Sequence, residues 1–224
     1  FLGGYYKRLA AATVVAGLVV AYAGGSRATI GLMLMGLALT LLLSLLHSRT
    51  KRKTGFMAAG ILLAVVITPI MYGAVERRSD DIRASSSALR DRMLDAAGMI
   101  IADHPLGIGA NRYVVVANMG GYSARAGVEW TSAAAPVHNT YYLVGVEMGW
   151  PGLIALIAFL VACLTLALNV RKRAPPSMPA EIANGVAVAI IMFSIHSYFE
   201  WISMSYSSHV FLALNLGLLV AARN

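Results

Sequence analysis

The sequence predicts an all-α integral membrane protein, a multi-span helical bundle with one large, partly helical loop on its outer side. Of its 224 residues, 58% are hydrophobic and 12% are charged, and the mean hydropathy is +0.71. Soluble domains average about 45–50% apolar and about 25% charged residues, and disordered chains are less hydrophobic still. The apolar residues also fall in long stretches, and basic residues gather at the ends of those stretches.

Six stretches are apolar enough to cross a bilayer as helices, which takes about 20 residues. They are residues 9–25, 28–47, 55–75, 141–169, 182–199 and 203–221. The chain therefore divides into three spans within 1–75, a loop domain at 76–140 and three spans within 141–224. It begins without a methionine or a signal-peptide pattern, so we expect it to be part of a longer protein.

The net charge is +8. In a soluble protein this would suggest a nucleic-acid partner, but in a membrane protein the positions of the charges matter more than their sum, so we expect no nucleic acid. All four lysines, Lys7, Lys51, Lys53 and Lys172, lie at short junctions between spans. The positive-inside rule places these junctions in the cytoplasm. The 76–140 loop carries seven arginines and seven of the ten acidic residues. It is therefore neutral, which fits the outer side.

Within this loop, the periodicity predicts an amphipathic helix at 85–103. Its apolar face is formed by Leu89, Met93, Leu94, Ala96, Ala97, Ile100 and Ile101. Arg90 falls inside the apolar arc, where it must snorkel, pair or meet an anionic ligand. Arg92 lies on the polar border near Asp95, where a solvated surface pair is the plainer interpretation. The stretch 117–136 is rich in small and turn residues, and we expect it to be irregular and mobile.

Polar residues gather where the chain re-enters the membrane. His138 and Asn139 precede the fourth span, and Tyr142 lies in its first turn. Histidine titrates near neutral pH, so His138 is a candidate base, with a structural role as the alternative. Glu147 lies ~10 Å along the helix, where a carboxylate should face protein and pair with an arginine. Arg27, at the outer start of the second span, is either an interfacial anchor or part of a phosphate site.

Three further polar residues, His196, Glu200 and His209, also fall near the outer membrane face. They either line the same cavity or are ordinary interfacial residues. The sequence contains no HExxH or EF-hand pattern and no carboxylates paired at helical spacing within a span, so we expect no metal site. The single cysteine, Cys163, excludes an internal disulfide and a cysteine-based metal cluster.

The ordered set of motifs resembles the O-antigen ligase and polymerase superfamily. The motifs are Ser26-Arg27, then Arg90 ahead of Ala102-Asp103-His104-Pro105-Leu106-Gly107-Ile108-Gly109, then His138-Asn139-Thr140-Tyr141-Tyr142-Leu143, and Glu147-Met148-Gly149-Trp150-Pro151-Gly152. The resemblance runs from about residue 10 to about residue 170. One departure is Leu94, where the family often has tryptophan, so Arg92 stays open as a substitute for Arg90.

The resemblance implies a GT-C type glycosyltransferase of the bacterial inner membrane. Its members have about twelve spans, of which these six would be the second half. They transfer a glycan from undecaprenyl diphosphate to lipid A–core oligosaccharide at the periplasmic face, so the implied partners are this donor, this acceptor and membrane lipids. The resemblance makes His138 the catalytic base and Arg27 and Arg90 the diphosphate ligands, without a metal or other cofactor. The residues expected to support them are Asn139, Tyr142 and Glu147.

Alternatives remain at this stage. A polymerase or a protein O-oligosaccharyltransferase of the same superfamily would differ in the acceptor, which depends on loop shape. A secondary transporter would also have about twelve spans, but transporters place charges and broken helices near the bilayer midplane. Here the charges lie toward the outer face. A scaffold without catalysis is the third alternative.

Overall fold

A computed structural model describes residues 4–23, 27–51, 53–60, 62, 80–202 and 205–223. Its helices are α1 (Gly4–Ala23), α2 (Arg27–His47), α3 (Asp80–Asp103), α4 (Tyr113–Met119), α5 (Tyr122–Arg125), α6 (Thr140–Arg173), α7 (Met178–Phe199) and α8 (Tyr206–Arg223). A 3-10 turn, Trp130–Ser132, lies between α5 and α6, and residues 53–60 are also helical. No strand occurs within the described ranges, which confirms the all-α prediction for this part of the chain.

Three of the described helices are long and apolar enough to cross a membrane. They are Thr29–His47 within α2, Thr140–Arg173 and Met178–Phe199, and a shorter apolar segment, Ala11–Val20, lies within α1. The second, fourth and fifth predicted spans are thereby confirmed as candidate membrane helices. Most of the predicted span at 55–75 lies outside the described residues.

Helix α7 is central to the spanning part, because it packs against α2, α6 and α8. Its contact face includes Ala183 and Ala187, which are fully buried together with Ala167 of α6 and Leu219 of α8. Small side chains let helix backbones approach closely, and this approach is a main source of helix association in lipid. Many large apolar side chains on the outward faces of these helices are exposed, as lipid contact requires.

Two of the predicted cytoplasmic junctions meet at one end of this bundle. Lys53 Nζ lies 2.6 Å from Glu181 Oε1 at the start of α7 and donates to Ser48 Oγ at 2.6 Å. Arg171, near the end of α6, donates from Nη2 to the Leu43 carbonyl oxygen at 2.9 Å. The basic residues therefore share one end of the helices, as the positive-inside interpretation requires.

Helices α3, α4 and α5 pack with the first turns of α6 to form a domain, which we call the outer domain after the side of the membrane that the sequence predicts for it. Its core consists of Met93, Ala96, Ala97, Ile100, Tyr113, Ala117, Tyr122, Val137, Leu143 and Val146. The predicted apolar face of α3 is thus confirmed, but the helix begins at Asp80 rather than at residue 85.

The stretch 117–136, expected to be irregular, is instead largely ordered. It contains the end of α4, all of α5 and the 3-10 turn. Its small residues pack: Ala117 is 1% exposed, and Ala126 and Ala135 lie against the outer-domain core. The composition that suggested a loop therefore serves close packing, and the prediction was wrong here.

A tight turn at residues 105–109, the docked turn, packs against a kink in α6. Gly107 (φ +89°) and Gly149 (φ +66°) both adopt left-handed backbone conformations, which favour glycine. Three backbone hydrogen bonds join the segments: Ile108 N–H to Val146 O at 3.0 Å, Gly109 N–H to Glu147 O at 2.9 Å and Trp150 N–H to Pro105 O at 2.9 Å. This contact fixes the end of α3 against α6.

Candidate active site

The carboxylate of Glu200 joins an arginine and a histidine at the outer side of the bundle. Its Oε1 accepts a hydrogen bond from Arg90 Nη2 at 3.0 Å, and its Oε2 lies 2.9 Å from His138 Nδ1. The three side chains come from α3, the residue before Asn139, and the end of α7. We call them the Arg90–Glu200–His138 cluster. The Lys53–Glu181 pair lies at the other end of α7, about 30 Å away by helix rise.

Backbone and hydroxyl contacts hold Glu200 in place. The residue follows the last turn of α7, and its N–H donates to the His196 carbonyl oxygen at 3.0 Å. Its own carbonyl oxygen accepts from Thr140 Oγ1 at 2.9 Å. Thr140 is fully buried at the start of α6. The end of α7 is therefore tied to the start of α6, and this tie brings Glu200 to His138.

Asn139 fixes the backbone beside His138. It is the N-cap of α6, and its Oδ1 accepts from the backbone N–H groups of Tyr141 at 2.9 Å and Tyr142 at 3.1 Å. Such a cap satisfies two of the orphan N–H groups of a helix start. Asn139 is 1% exposed, while the Tyr142 side chain is exposed on the first turn. Of the three expected supporting residues, Asn139 adjoins His138 in the chain and Tyr142 lies on the first turn of α6 that Asn139 caps.

Arg90, which the sequence placed in an apolar arc, pairs with a carboxylate. Pairing was one of the three alternatives, beside snorkelling and binding an anionic ligand. Its side chain is 42% exposed. A guanidinium has five N–H donors in a planar fork, and the described bond to Glu200 uses one of them. Arg90 is therefore anchored by a carboxylate and still accessible from outside.

Arg92, the other candidate arginine of α3, points elsewhere. Its Nη1 donates to the Gly127 carbonyl oxygen at 3.1 Å, within the outer domain. The expected surface pair with Asp95 is thus replaced by a backbone contact. The structure brings Arg90, and not Arg92, to His138. Arg27 is the first residue of α2, and its side chain lies outside the described part of the chain.

Glu147 has a different partner from the one we expected. It is 5% exposed, and its Oε1 accepts from the backbone N–H of Tyr113 at 3.2 Å. This bond ties α6 to the start of α4. Among the described residues of the outer half, the carboxylate that pairs with an arginine is that of Glu200. The arginine pair that we expected at Glu147 is therefore found at Glu200 instead.

Two tyrosines of the outer domain are held in the protonated state. Burial raises the pKa of Tyr113 to about 12, and its hydroxyl donates to the Met93 carbonyl oxygen at 3.4 Å. A hydrogen bond to Asp103, at 2.8 Å, raises the pKa of Tyr122. His104 Nε2 lies 3.5 Å from the same Tyr122 hydroxyl. This contact places His104 in the outer domain rather than in the Arg90–Glu200–His138 cluster.

An apolar cavity lies beside the cluster, between α2, α7 and α8. It has a volume of about 540 Å³ and is lined by side chains that include Met33, Leu37, Val188, Phe193, His196 and Leu212. His196 is one helical turn from Glu200 on α7. The lining of the cavity therefore reaches to within one helical turn of Glu200. Among the described residues, no group of three or more His, Cys, Asp or Glu side chains could hold a metal ion.

Sequence reasoning placed Glu200 near the outer face but did not select it. The available signal was Arg90, whose position in an apolar arc demanded a partner. Only three acidic residues lie outside the 76–140 loop, namely Glu147, Glu181 and Glu200. Glu181 belongs to the predicted cytoplasmic end, so Glu200 was the remaining alternative to Glu147.

Comparison with known proteins gives one match. A family model described as O-antigen ligase matches residues 12–157. This range contains α3, the docked turn and His138, and it ends before Glu200. No curated protein and no solved structure matches the chain.

Proposed function

The chain belongs to the O-antigen ligase family, and we propose that it transfers a glycan from undecaprenyl diphosphate to lipid A–core oligosaccharide. The reaction takes place at the periplasmic face of the bacterial inner membrane. The observation that supports this most strongly is the Arg90–Glu200–His138 cluster, which combines a candidate base with an accessible arginine at 2.9 and 3.0 Å from one carboxylate. The described part would belong to a GT-C bundle, with six spans here and about twelve in the whole protein.

His138 acts as the general base. With Nδ1–H donating to Glu200, the Nε2 lone pair is left to accept a proton. The acceptor hydroxyl loses its proton to Nε2 as its oxygen attacks the anomeric carbon from the face opposite the leaving group. A new glycosidic bond forms, and the bond from the anomeric carbon to the phosphate oxygen breaks with inversion. Glu200 holds the imidazole in the required tautomer and stabilises the imidazolium that results.

The arginines stabilise the leaving group. Undecaprenyl diphosphate departs with the electron pair of the broken bond, and negative charge grows on its phosphate oxygens. Arg90 and Arg27 bind these oxygens through their forked donors, a role that many glycosyltransferases give to a divalent metal. We propose that neither a metal nor another cofactor is required. Arg92, turned toward Gly127, is assigned a structural role instead.

The donor lipid and the supporting residues complete the site. The apolar spans hold the polyprenyl chain. Asn139 and Tyr142 fix the position of the start of α6 relative to the donor. Glu147 supports the site at a distance, because it ties α6 to the outer domain through Tyr113.

The test is a transfer assay with the full protein in lipid nanodiscs, a lipid-linked donor and lipid A–core acceptor. We expect His138→Ala to lower the transfer rate by about 10²- to 10⁴-fold, the usual contribution of a general base. His104→Ala is the matched control, since His104 is exposed and lies outside the cluster, and it should transfer normally. Transfer by His138→Ala at the unmodified rate would contradict the base assignment.

Two further arms of the assay refine the proposal. Arg27→Lys should weaken donor use, because lysine offers a point charge in place of a fork, and normal transfer by this variant would remove Arg27 from the diphosphate site. Replacing the acceptor by a second lipid-linked repeat or by an acceptor protein distinguishes the ligase from a polymerase or a protein O-oligosaccharyltransferase.

A further inference from the structure

The outer domain holds a second cavity, separate from the apolar cavity between the spans. It has a volume of about 420 Å³, and its walls come from α4, α5 and the segment that leads into the 3-10 turn. The side chains that matter for its chemistry are Asn118, Ser123, Val128 and Trp130. The same segment continues directly to His138, so the cavity lies on the same side of the protein as the cluster.

Trp130 stands at this cavity with most of its indole uncovered. The residue is 88% exposed, more than any other tryptophan of the chain. Its sequence neighbours Glu129 and Thr131 are also exposed, so the indole does not belong to an apolar helix face of the kind that meets lipid. A large exposed aromatic surface beside a cavity is a mark of ligand binding.

Hydrogen bonds hold the cavity walls in place before any ligand binds. Asn118 Nδ2 donates to the Ala133 carbonyl oxygen at 2.8 Å, and Val128 N–H donates to the Ser123 carbonyl oxygen at 2.9 Å. Arg92 holds the intervening loop through Gly127. A cavity fixed in this way binds without the entropic cost of ordering its walls.

The chemistry of the walls fits a sugar. A pyranose has an apolar face of C–H groups and an edge of hydroxyls. The Trp130 indole offers a flat apolar surface for the face. The Asn118 amide, whose Oδ1 is not used by the bond to Ala133, and the Ser123 hydroxyl offer partners for the edge. The lining carries neither lysine nor arginine, so it does not suit a phosphate.

We propose that this cavity is a saccharide subsite, in which one pyranose of an oligosaccharide substrate stacks on Trp130. The inference rests on the proposed function for the identity of its ligand. The sugar belongs either to the acceptor core or to the donor glycan, which share this chemistry. The subsite holds the chain of sugars while its reacting end lies at His138.

The direct test uses binding rather than transfer. The variant used keeps Trp130 and replaces every other tryptophan of the protein by phenylalanine, among them Trp150 and Trp201 of this sequence. The protein is placed in nanodiscs and titrated with core oligosaccharide freed from lipid A, and separately with lipid-free donor oligosaccharide. We expect a saturable change in Trp130 emission with one of the two, and that arm identifies the source of the sugar. No response to either would overturn the proposal.

Substitutions then test whether the subsite serves transfer. Trp130→Ala should raise the KM for the bound substrate about three- to tenfold with little change in kcat, the range that one aromatic contact supports. Trp130→Tyr should restore most of it. Met119→Ala, which removes a side chain that is 87% exposed on the same domain, is the control and should leave KM unchanged. An unchanged KM in Trp130→Ala would contradict a role for the subsite.

Two outcomes separate this inference from its premise. If brominated lipids quench Trp130 and oligosaccharide leaves its emission unchanged, Trp130 is a membrane-interface anchor and the subsite is refuted. If oligosaccharide binds at Trp130 but the wild-type protein transfers no glycan, the subsite stands and the proposed function fails. His138→Ala should bind oligosaccharide as the wild type does.

Discussion

Glu147 and Glu200 lie toward the outer side of the same two packed helices, yet their surroundings differ. Glu147 is 5% exposed and accepts a backbone N–H from Tyr113. Glu200 has a 30% exposed side chain and contacts two side chains that can carry positive charge, Arg90 and His138. The Glu147 carboxylate links α6 to the backbone at the start of α4, whereas the Glu200 carboxylate links the side chains of Arg90 and His138.

The difference shows how to distinguish a carboxylate that stabilises the fold from one that orients reacting groups. A buried carboxylate with a backbone donor needs only an oxygen in the right place, so its charge is secondary. A carboxylate that stays accessible and holds cationic partners acts through its charge and orients what it holds. We therefore expect the Glu147 region, with the docked turn, to determine stability, and the Arg90–Glu200–His138 cluster to determine the proposed activity.

The largest expected effect comes from breaking the structural region. A Cβ at Gly149 would collide with the backbone of Leu106 and Pro105, and the residue has φ +66°. We expect Gly149→Ala to destabilise the protein by more than about 3 kcal/mol, seen as a lost or much lower thermal unfolding transition in detergent. Gly98→Ala is the control, because its Cβ would meet nothing within 4 Å. It should be neutral or stabilise α3 by up to about 1 kcal/mol.

The next effect compares the two arginines of α3. Arg90→Lys should raise the donor KM about tenfold, because the fork that binds Glu200 and, as we propose, a phosphate is replaced by a point charge. Arg92→Lys should change the donor KM by less than about twofold, since Arg92 contacts Gly127 instead. Steady-state transfer at varied donor concentration measures both. Equal effects of the two substitutions would contradict the assignment of Arg90.

A smaller effect is expected at the cap of α6. Asn139→Ala removes the acceptor of two helix N–H groups and should cost about 1 kcal/mol in the free energy of unfolding. The transfer rate should also fall several-fold, because His138 is the adjacent residue. Asn139→Ser keeps a capping oxygen and should recover most of the stability. A fully stable Asn139→Ala would show that the cap does not hold this segment.

The smallest effect at neutral pH belongs to Tyr113→Phe. It removes one hydrogen bond, to Met93, and should cost about 0.5–1.5 kcal/mol. The pH profile is more informative. The folded-state pKa of about 12 exceeds that of the unfolded chain, near 10. The stability gained by keeping the phenol neutral is therefore full below about pH 10 and is lost as pH rises toward 12. Unfolding midpoints of both proteins between pH 8 and 12 test this, since parallel profiles would contradict it.

The parts of the fold that follow from local patterns could be predicted. The 3.6-residue period predicted the apolar face of α3, whose residues lie in the outer-domain core or against it. The same period placed Arg90 in an apolar arc and so required a partner for it. Each of these conclusions depends on residues within a few turns of one another.

The partner itself could not be predicted in this way. Glu200 and His138 are separated by 62 positions, and they meet because α7 packs against α6. Glu147 seemed the better choice because a carboxylate at its depth in the span should face protein and pair with an arginine, but the packing of α4 supplies it with the Tyr113 amide. A single sequence carries no signal for such pairings. The order within 117–136 was missed for the same reason, since its small residues gain structure only against α3.

The most direct test of the account is a parallel measurement of transfer by Glu200→Gln and Glu147→Gln in nanodiscs. A glutamine at 147 can still accept the Tyr113 N–H, so we expect a transfer rate within about twofold of the wild type. A glutamine at 200 loses the charge that orients His138 and Arg90. We expect its rate to fall about ten- to hundredfold, the equivalent of one charge-assisted hydrogen bond, with an unchanged unfolding temperature. Normal transfer by Glu200→Gln, or a greater loss in Glu147→Gln, would contradict the account.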